Sequence, residues 1–494
     1  MEYSETFKTL LSIAIPEKLN QQLLAYLIRE DGDEDLCFAL YRPSHGTDRS
    51  TALINEIIFP IDGDRQRHGN VSFNKQYFSR VTKIALKKNC GIVLIHSHPG
   101  PGWQGMSPDD MAAETKWAPP SITLTGLPLV GLTAGSDGTW SGRSWSYSNG
   151  SYKRQWAYSI RAVGSKLNVN FNDSIVPKSK YKEEFKRTIT VWGNENHQLL
   201  TRLNIGIIGL GSVGSIVAES LARMGFQNFV LIDFDEVQRH NLDRLLGATV
   251  KDISKLKVNV AKRQILKAGT ADSLCVQAIP FSVAEQAGYK SALDCDILFS
   301  CVDRPRARHV LNNIAYNHLI PIIDGGIRVR MPNGIFDGVD WQLQTVGPGK
   351  PCLRCLNIYD PADVSLEVEG KLDDPSYLDT LPSDHPYKMN ENIFTFSMNL
   401  ASLEIFHLID LVTNIGNIEN FGKQRFRYQQ GIISHYHDDQ CKARCDYAAN
   451  IAMGDLYIVT GTDISAEAAR ARQKKNNHRI RQFFSKGINA IIKE

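Results

Sequence analysis

At 494 residues the chain is too long for one compact core, so two or three domains are expected. A hydrophobic share of 42% and a charged share of 22% are ordinary for a soluble globular protein, and a net charge of +3 gives no strong bias toward nucleic acid. No apolar run reaches the roughly 18 residues that cross a bilayer. The nine cysteines are dispersed apart from two pairs, which favours a reducing cytoplasm over a disulfide framework.

Residues 1–150 alternate short apolar runs with turn signals and predict a first α/β domain. The opening stretch, MEYSETFKTLLSIAIPEKLNQQ, mixes acids into apolar residues and predicts an amphipathic helix, not a signal peptide. CFALYR and GIVLIHSHPG predict strands, MSPDDMAAETKW predicts a helix capped by Ser107, and Thr139–Tyr147 predicts a closing strand. The polar range 151–184 predicts a linker.

From residue 204 the pattern changes to strand–helix alternation in NIGIIGL, SIVAESLARMG and NFVLIDFD. This order predicts a βαβ unit and a Rossmann-like, mainly parallel sheet over residues 185–450. Residues 451–494 predict a basic helical tail. Its charges from Arg470 to Arg481 are interpreted as a solvated face, so a nucleic-acid role is not expected.

His96 and His98 lie at the end of a predicted strand, where side chains two residues apart project to the same side. With Asp110 in the first turn of the next helix they supply three ligands, the number that a catalytic zinc ion uses when one position is left for water. Ser107 could stabilise a developing oxyanion. The general base must come from elsewhere in the chain, and Glu34 is preferred to Glu30 because it directly precedes a strand.

This pattern resembles the JAB/JAMM (MPN+) metalloproteases, whose motif is a distant Glu followed by H-x-H-P and S-x-x-D. The resemblance covers residues 5–147 and implies cleavage at the C-termini of ubiquitin-like or sulfur-carrier proteins. The gap between His98 and Ser107 is one residue longer than usual, which leaves Asp109 as an alternative to Asp110. The competing interpretation is a surface loop with two incidental histidines.

A glycine-rich turn follows the first strand of the second region, with Gly209, Gly211 and Gly214 at the positions of a phosphate-binding loop. A dehydrogenase would use Asp233 to bind an NAD ribose. The polar and cationic residues that follow favour a triphosphate instead, with Asp303 at a strand end holding magnesium. Those residues are Asn241, Arg244 and Lys257.

The same run resembles the ThiF/MoeB-type adenylyltransferases, which share their fold with ubiquitin-activating enzymes. The resemblance implies ATP as substrate, with Asp233 on the ribose, Asn241, Arg244 and Lys257 on the phosphates and Asp303 on magnesium. It also implies a homodimer in which Arg187 reaches the partner's nucleotide, although a simple surface arginine is an equal alternative. Two positions depart from the family, Leu245 in place of Gln and Arg304 in place of Asn.

Two cysteine pairs, Cys352/Cys355 and Cys441/Cys445, predict a closed structural zinc site. Residues 356–440 contain no cysteine, whereas activating enzymes that form a thioester place one between such pairs. The acyl-adenylate would then pass directly to another thiol, or a conjugating partner would supply the cysteine. Cys275, Cys295 and Cys301 are interpreted as structural.

The leading hypothesis is a bifunctional enzyme that adenylates a ubiquitin-like modifier and also trims or removes it. Such fusions resemble components of prokaryotic ubiquitin-like systems, some of them associated with antiviral defence. Activation of a sulfur carrier for cofactor biosynthesis is the first alternative. An interaction scaffold with one inactive domain is the second. A membrane partner is not expected.

Overall fold

The protein is described from a computed structural model that covers residues 10–68, 70–331, 335–381, 392–413, 415–416, 421–437 and 439–459. The predicted basic helix between Arg470 and Arg481 lies outside these residues.

The N-terminal half is built on a nine-stranded mixed sheet with the strand order β11-β10-β1-β3-β2-β6-β7-β8-β9. Its strands are β1 (Leu10–Pro16), β2 (Leu36–His45), β3 (Arg49–Ile58), β6 (Gly91–Ser97), β7 (Leu129–Ala134), β8 (Trp140–Ser148), β9 (Ser151–Trp156), β10 (Ser159–Val163) and β11 (Leu167–Phe171). A separate hairpin pairs β4 (Arg65–His68) with β5 (Asn70–Phe73). Strand β6 runs parallel to β7 and antiparallel to β2.

The prediction of a helix at the N-terminus was wrong for residues 10–16, which form β1 in the interior of this sheet. Parallel neighbours β3 and β10 flank the strand, and all but its first residue are buried. Strands buried on both faces have nearly continuous apolar sequences, so β1 lacks the alternation that identifies a half-buried strand. A helix begins only after Pro16, at Glu17.

The predicted linker over residues 151–184 was also wrong, because β9, β10 and β11 occupy residues 151–171 and Thr139–Tyr147 does not close the domain. All five residues of β10, SIRAV, are buried although two of them are polar. Arg161 lies in this strand with its guanidinium against Asp296 of the second half of the chain. The polar residue Arg161 of this range therefore belongs to a buried junction between the two halves, whereas β9 is largely exposed.

The C-terminal half contains an eight-stranded sheet with the order β14-β13-β12-β15-β16-β17-β18-β19. Its strands are β12 (Asn204–Ile208), β13 (Asn228–Ile232), β14 (Cys275–Ile279), β15 (Ile297–Ser300), β16 (Ile322–Arg330), β17 (Gly338–Val346), β18 (Lys423–Arg427) and β19 (Ile432–Tyr436). The first five strands of the sheet order are parallel and the last three join antiparallel. This is the predicted Rossmann-like arrangement, and the strand order reverses between β12 and β15.

Helices pack on both sheets. In chain order they are α1 (Glu17–Leu27), α2 (Lys75–Lys88), α3 (Pro108–Thr125), α4 (Lys186–Trp192), α5 (Asn194–Thr201), α6 (Ser212–Arg223), α7 (Lys257–Ala268), α8 (Gln286–Ala292), α9 (Pro305–Asn317), α10 (Pro361–Val368), α11 (Pro375–Thr380), α12 (Phe394–Thr413) and α13 (Asp446–Ala449). Short 3₁₀ helices lie at Glu183–Phe185, Arg239–Asn241, Val250–Asp252, Lys371–Asp373 and Gly454–Leu456.

Helix α12 is the one described helix long and apolar enough to cross a membrane by length and composition. Within the protein 61% of its apolar window is buried, and its side chains pack on α6, β16 and β17. This burial is typical of a core helix, because helices that are hydrophobic on most sides lie in the interior of large proteins.

The two sheets meet at a buried ionic junction. Arg49, at the start of β3, is 1% exposed and lies 2.6 Å from the carboxylate of Asp296, just before β15. The same guanidinium donates to the Tyr158 hydroxyl at 2.6 Å. Arg161 reaches Asp296 at 3.4 Å, and Asp294 accepts backbone N–H groups from the start of β3. Apolar residues of both halves pack around these groups in one continuous core.

Further contacts extend this junction. His318 bonds to Ser44 and Tyr289, each at 2.7 Å, and Lys166 pairs with Asp410 at 2.8 Å. On the C-terminal half, Asp294, Asp296 and His318 all precede parallel strands and mark the N-terminal edge of that sheet. The junction therefore lies opposite the carboxyl edge, where Rossmann-like folds bind ligands.

We predict that Arg49→Met lowers the free energy of unfolding by about 3 kcal/mol, because it leaves Asp296 buried beside a weaker partner. Urea denaturation followed by circular dichroism measures this change. Arg223→Met is the matched control, since the Arg223 side chain is 61% exposed and its ion pair with Glu219 should contribute under about 1 kcal/mol. Equal effects of the two substitutions would contradict a stabilising junction.

Candidate functional site

His96, His98 and Asp110 form a compact cluster at the C-terminal end of β6. Nε2 of His96 lies 3.1 Å from one oxygen of Asp110, and Nε2 of His98 lies 3.2 Å from the other. The two Nε2 atoms are 3.2 Å apart, and one ligand atom from each residue fits within 4.8 Å. Burial opposes ionisation of Asp110, but hydrogen bonds from both histidines outweigh it and hold the pKa of the carboxyl well below its usual range.

The start of α3 positions Asp110. Ser107 is the N-cap and forms a capping box in which its hydroxyl accepts from the Asp110 N–H at 3.1 Å. The Asp110 carboxylate accepts the Ser107 N–H at 2.7 Å, and Pro108 occupies the first helical position. Asp109 is exposed. The local geometry thus turns Asp110, not Asp109, toward the histidines.

Glu34 lies in the loop that enters β2, where Leu36 pairs with His96. Burial raises the pKa of the Glu34 carboxyl above its ordinary value, while His98 and His96 oppose that rise. A carboxyl with a raised pKa is better matched to general base chemistry near neutral pH. Glu30 is exposed.

The neighbouring Asp35 was missed by sequence reasoning. It is fully buried, pairs with Arg65 at 2.7 Å and exchanges backbone and side-chain hydrogen bonds with Ser97, directly between the two histidines. An acid within an acidic loop gives no sequence signal of burial, and its shortest ion pair is with Arg65, 30 residues away, while Arg29 lies 3.7 Å from it. Asp35 holds the Glu34 loop against the end of β6.

A second buried pair fixes α3 to the sheet. Glu114, one turn after Asp110, and Arg143 on β8 are both fully buried and 2.5 Å apart. Arg143 also donates to the Thr133 hydroxyl at 2.5 Å, and that hydroxyl lies 3.4 Å from Nε2 of His96. The spacing of Glu114 from Asp110 was its available sequence signal, since residues four apart share a helix face.

The Gly209–Gly214 turn follows β12 at the point where the strand order reverses. A Cβ at Gly209 would lie 2.5 Å from the Cys301 carbonyl oxygen, and one at Gly214 would lie 2.0 Å from the Gly209 carbonyl oxygen. Gly209 also has φ +89°. A Cβ at Gly211 would meet nothing within 4 Å. Two of the glycines are therefore required by packing, and the third leaves open space at the N-terminus of α6, where backbone N–H groups can face a phosphate.

Asp233 and Lys257 lie beside this turn. Asp233 follows β13 and accepts the Leu210 N–H at 2.6 Å. Burial raises the pKa of Asp233, and Lys257 opposes the rise. Burial disfavours the charge on Lys257, but Asp233 and Asp235 outweigh it and raise the pKa of the ammonium group, whose Nζ lies 3.0 Å from Asp235. Lys257 is thus a fixed cation at the start of α7.

Asn241, Arg244 and Asp303, the other residues predicted to bind the nucleotide, lie on the same edge of the sheet. Asn241 caps its own 3₁₀ turn by accepting the Gln238 N–H, and Arg244 donates to the His240 carbonyl at 2.6 Å. Asp303 is exposed in the loop after β15, and its charge acts on Lys257. Arg187 is exposed on α4, where it has no described role within the monomer.

The two departures from the family pattern have local explanations. Leu245 is 7% exposed and packs with Val237 and Val260 in a small apolar cluster. Arg304 pairs with Asp373 at 2.7 Å and so ties the Asp303 loop to the segment after α10.

The four cysteines Cys352, Cys355, Cys441 and Cys445 converge, with their sulfur atoms all within 4.8 Å of one another. Backbone N–H groups of Cys352 and Cys355 donate to the sulfurs of Cys441 and Cys352 at 3.2 and 3.3 Å. Four thiol groups with amide donors suit a closed zinc site.

The remaining cysteines differ from one another in exposure. Cys295 is buried, and burial raises the pKa of the Cys301 thiol far above its ordinary value, so it is a poor nucleophile. Cys275 is exposed at the start of the edge strand β14, so burial does not support its structural interpretation, which stays a prediction. That position is the edge opposite the glycine turn.

The ThiF family model matches residues 185–442. The NEDD8-activating enzyme E1 catalytic subunit of Arabidopsis thaliana is 27% identical over 181 residues, which are 34% of this chain and 37% of that protein. The molybdopterin-synthase adenylyltransferase of Escherichia coli is 26% identical over 163 residues, which are 33% of this chain and 62% of that protein. The chain spans less than half the length of the first curated relatives that it matches.

Among solved structures, E. coli MccB with ATP aligns with a TM-score of 0.42 and 17% identity, over 56% of this chain and 77% of that chain. The interpretation of the N-terminal half as a zinc hydrolase rests on its residues alone. Because the family model covers more than half of the sequence, the chain belongs to the ThiF family.

Proposed function

We propose that the chain adenylates the C-terminal carboxylate of a ubiquitin-like or sulfur-carrier protein. The observation that carries this proposal is the open space at Gly211, at the N-terminus of α6, beside the partly buried cation Lys257. Membership of the ThiF family supports it, as does the molybdopterin-synthase adenylyltransferase among the relatives.

In the proposed reaction a carboxylate oxygen of the protein substrate attacks the α-phosphate of ATP, and pyrophosphate leaves. The chain's own residues position the reactants and neutralise charge, so no protein nucleophile is required. Asp233 would bind the ribose, while Asn241, Arg244 and Lys257 would bind the phosphates. Asp303 is an exposed carboxylate on the same edge, and an oxygen ligand of this kind suits magnesium.

The fate of the acyl-adenylate follows from the cysteines. Burial raises the pKa of the Cys301 thiol far above its ordinary value, which makes it a poor nucleophile, and Cys275 lies at the opposite edge of the sheet. We therefore propose direct transfer to an external thiol, as in sulfur-carrier activation, or to a cysteine of a conjugating partner. A homodimer in which Arg187 reaches the partner's nucleotide, and a cytoplasmic location, belong to the same proposal.

A second activity is favoured by the N-terminal cluster. Two imidazoles and a carboxylate that converge are a donor set that fits zinc, and His96, His98 and Asp110 would hold it. Zinc at such a site acidifies bound water and polarises a carbonyl. Glu34 would take the proton and Ser107 would face the oxyanion, as in a JAMM peptidase that matures or deconjugates the modifier. The four-cysteine cluster would hold a structural zinc ion.

For an enzyme that combines these two activities, we also propose a role in prokaryotic antiviral defence. The alternative of a scaffold with one inactive domain is opposed by the intact ligand clusters in both halves.

We predict that Asp303→Ala lowers ATP–pyrophosphate exchange at least about 100-fold, because it removes the proposed magnesium ligand at the reacting phosphates. Exchange is measured with purified protein and candidate ubiquitin-like proteins that end in Gly-Gly. Asp272→Ala is the control, since Asp272 is half exposed and pairs with Lys182. Absence of exchange with every processed modifier would remove the activating role.

Zinc content separates the bifunctional enzyme from the scaffold. The wild-type chain should hold two zinc ions, and the double variant His96→Ala/His98→Ala should hold one, as measured by mass spectrometry of the metal. Circular dichroism of both proteins controls for folding. One zinc ion in both proteins would contradict a metal site in the N-terminal half.

Glu34→Gln should reduce peptidase activity at least about 100-fold while it leaves zinc content unchanged, because it removes only the proposed base. The substrate is a ubiquitin-like protein fused through Gly-Gly to a short extension. Glu30→Gln, at an exposed glutamate in the same segment, should retain full activity. The opposite pattern would transfer the role of base to Glu30.

A further inference from the structure

The antiparallel part of the second sheet has one covered and one open face. Helix α12 packs on the face that includes Trp341, which is 2% exposed. In the register of the sheet, Asp340 pairs with Arg328 on one side and with Arg427 on the other, and Gln342 pairs with Arg425. Paired residues project to the same side, so these side chains share the face opposite α12.

Four arginines therefore crowd this surface, which we call the arginine face and define as Arg328, Arg330, Arg425 and Arg427. Asp340 lies at its base, 7% exposed, and pairs with Arg330 at 2.7 Å and with Arg425 at 2.8 Å. Arg330 also pairs with Asp337 at 3.0 Å. Among the described residues, two carboxylates thus balance two of the four arginines, and the charges of Arg328 and Arg427 are in excess.

The arginine face continues into the nucleotide edge. Gly326 precedes Arg328 by two residues on the same side of β16, and a Cβ there would lie 3.0 Å from the guanidinium of Arg308. Arg308 belongs to α9, which begins just after Asp303. From Gly326 to Arg330 the strand advances four residues, or roughly 13 Å. An extended peptide that enters the nucleotide edge along β16 would cross the arginines within its last several residues.

We propose that the arginine face binds acidic side chains in the C-terminal segment of the protein whose carboxylate is adenylated. This inference rests on the proposed adenylation and adds that the substrate is selected by the charge of its C-terminal segment. Each exposed ion pair contributes little by itself, but two excess arginines beside the proposed peptide path along β16 favour acidic over neutral tails. The preference should weaken as salt rises, because exposed charges are screened.

The test uses two fluorescein-labelled ten-residue peptides that end in Gly-Gly. One has Asp and Glu at the third to seventh positions from its C-terminus, and the other has Asn and Gln there. Fluorescence anisotropy at 50 mM salt should show the acidic peptide binding about tenfold more tightly, a difference of about 1.4 kcal/mol. Arg328→Gln/Arg427→Gln should abolish this preference, because the remaining arginines are balanced by Asp337 and Asp340.

The matched control is Lys83→Gln/Lys87→Gln, which removes two exposed cations from α2 in the other half of the chain. It should keep the tenfold preference. Equal binding of the two peptides, or a preference that survives the arginine substitutions, would overturn the inference. Tighter binding of a labelled single-stranded oligonucleotide through the same arginines would also overturn it.

The same peptides separate this inference from the adenylation on which it depends. A binding preference without ATP–pyrophosphate exchange would contradict adenylation and leave the arginine face as a site for acidic peptides. If both peptides support ATP–pyrophosphate exchange at the same rate and bind equally well, the result would support adenylation and would rule out the arginine face as a site for acidic peptides.

Discussion

The buried contact of Arg49 and Arg161 with Asp296 determines how the two halves of the molecule are joined. Charges removed from water must be paired and hydrogen-bonded, and here the partners come from different sheets. Neither half can satisfy these groups alone. The apolar core continues across the junction, so the two sheets form one structure rather than two domains on a linker.

This junction decides where the two candidate sites lie. In the C-terminal half it occupies the N-terminal edge of the parallel strands, and the glycine turn is on the carboxyl edge. In the N-terminal half it contacts Ser44 near the end of β2, whereas Leu36, at the beginning of that strand, pairs with His96. Eight residues of strand separate these points by roughly 26 Å. The sites are on opposite sides of the junction, so a modifier would have to leave one before it entered the other.

The separation of the two candidate sites suits the two proposed reactions, because one would activate a carboxylate and the other would hydrolyse an amide bond. An adenylate formed at Gly211 would be kept away from the proposed hydrolytic centre, since the buried junction lies between the two sites. The ion pairs that hold each centre are independent of one another. Glu114 pairs with Arg143 beneath α3, while Lys257 pairs with Asp235 beside the glycine turn.

Local patterns in the sequence predicted the local features of both sites. The Ser107 cap, the strand that carries His96 and the glycine turn depend on neighbouring residues, and each was found where expected. Strand β1 and strands β9–β11 were missed because their identity depends on distant partners. Arg161 looks like a linker residue until Asp296 is placed beside it. For the same reason the buried carboxylate Asp35 could not be recognised from sequence alone.

The most direct test of the central claim follows an oxygen atom. A Gly-Gly-ending substrate labelled with ¹⁸O in its C-terminal carboxylate is incubated with the protein, ATP, magnesium and a small thiol, and the AMP is analysed by mass spectrometry. Attack of the carboxylate on the α-phosphate predicts one ¹⁸O atom in each AMP released by the thiol. AMP without the label would show that water cleaves ATP, and would contradict adenylation as the function of this chain.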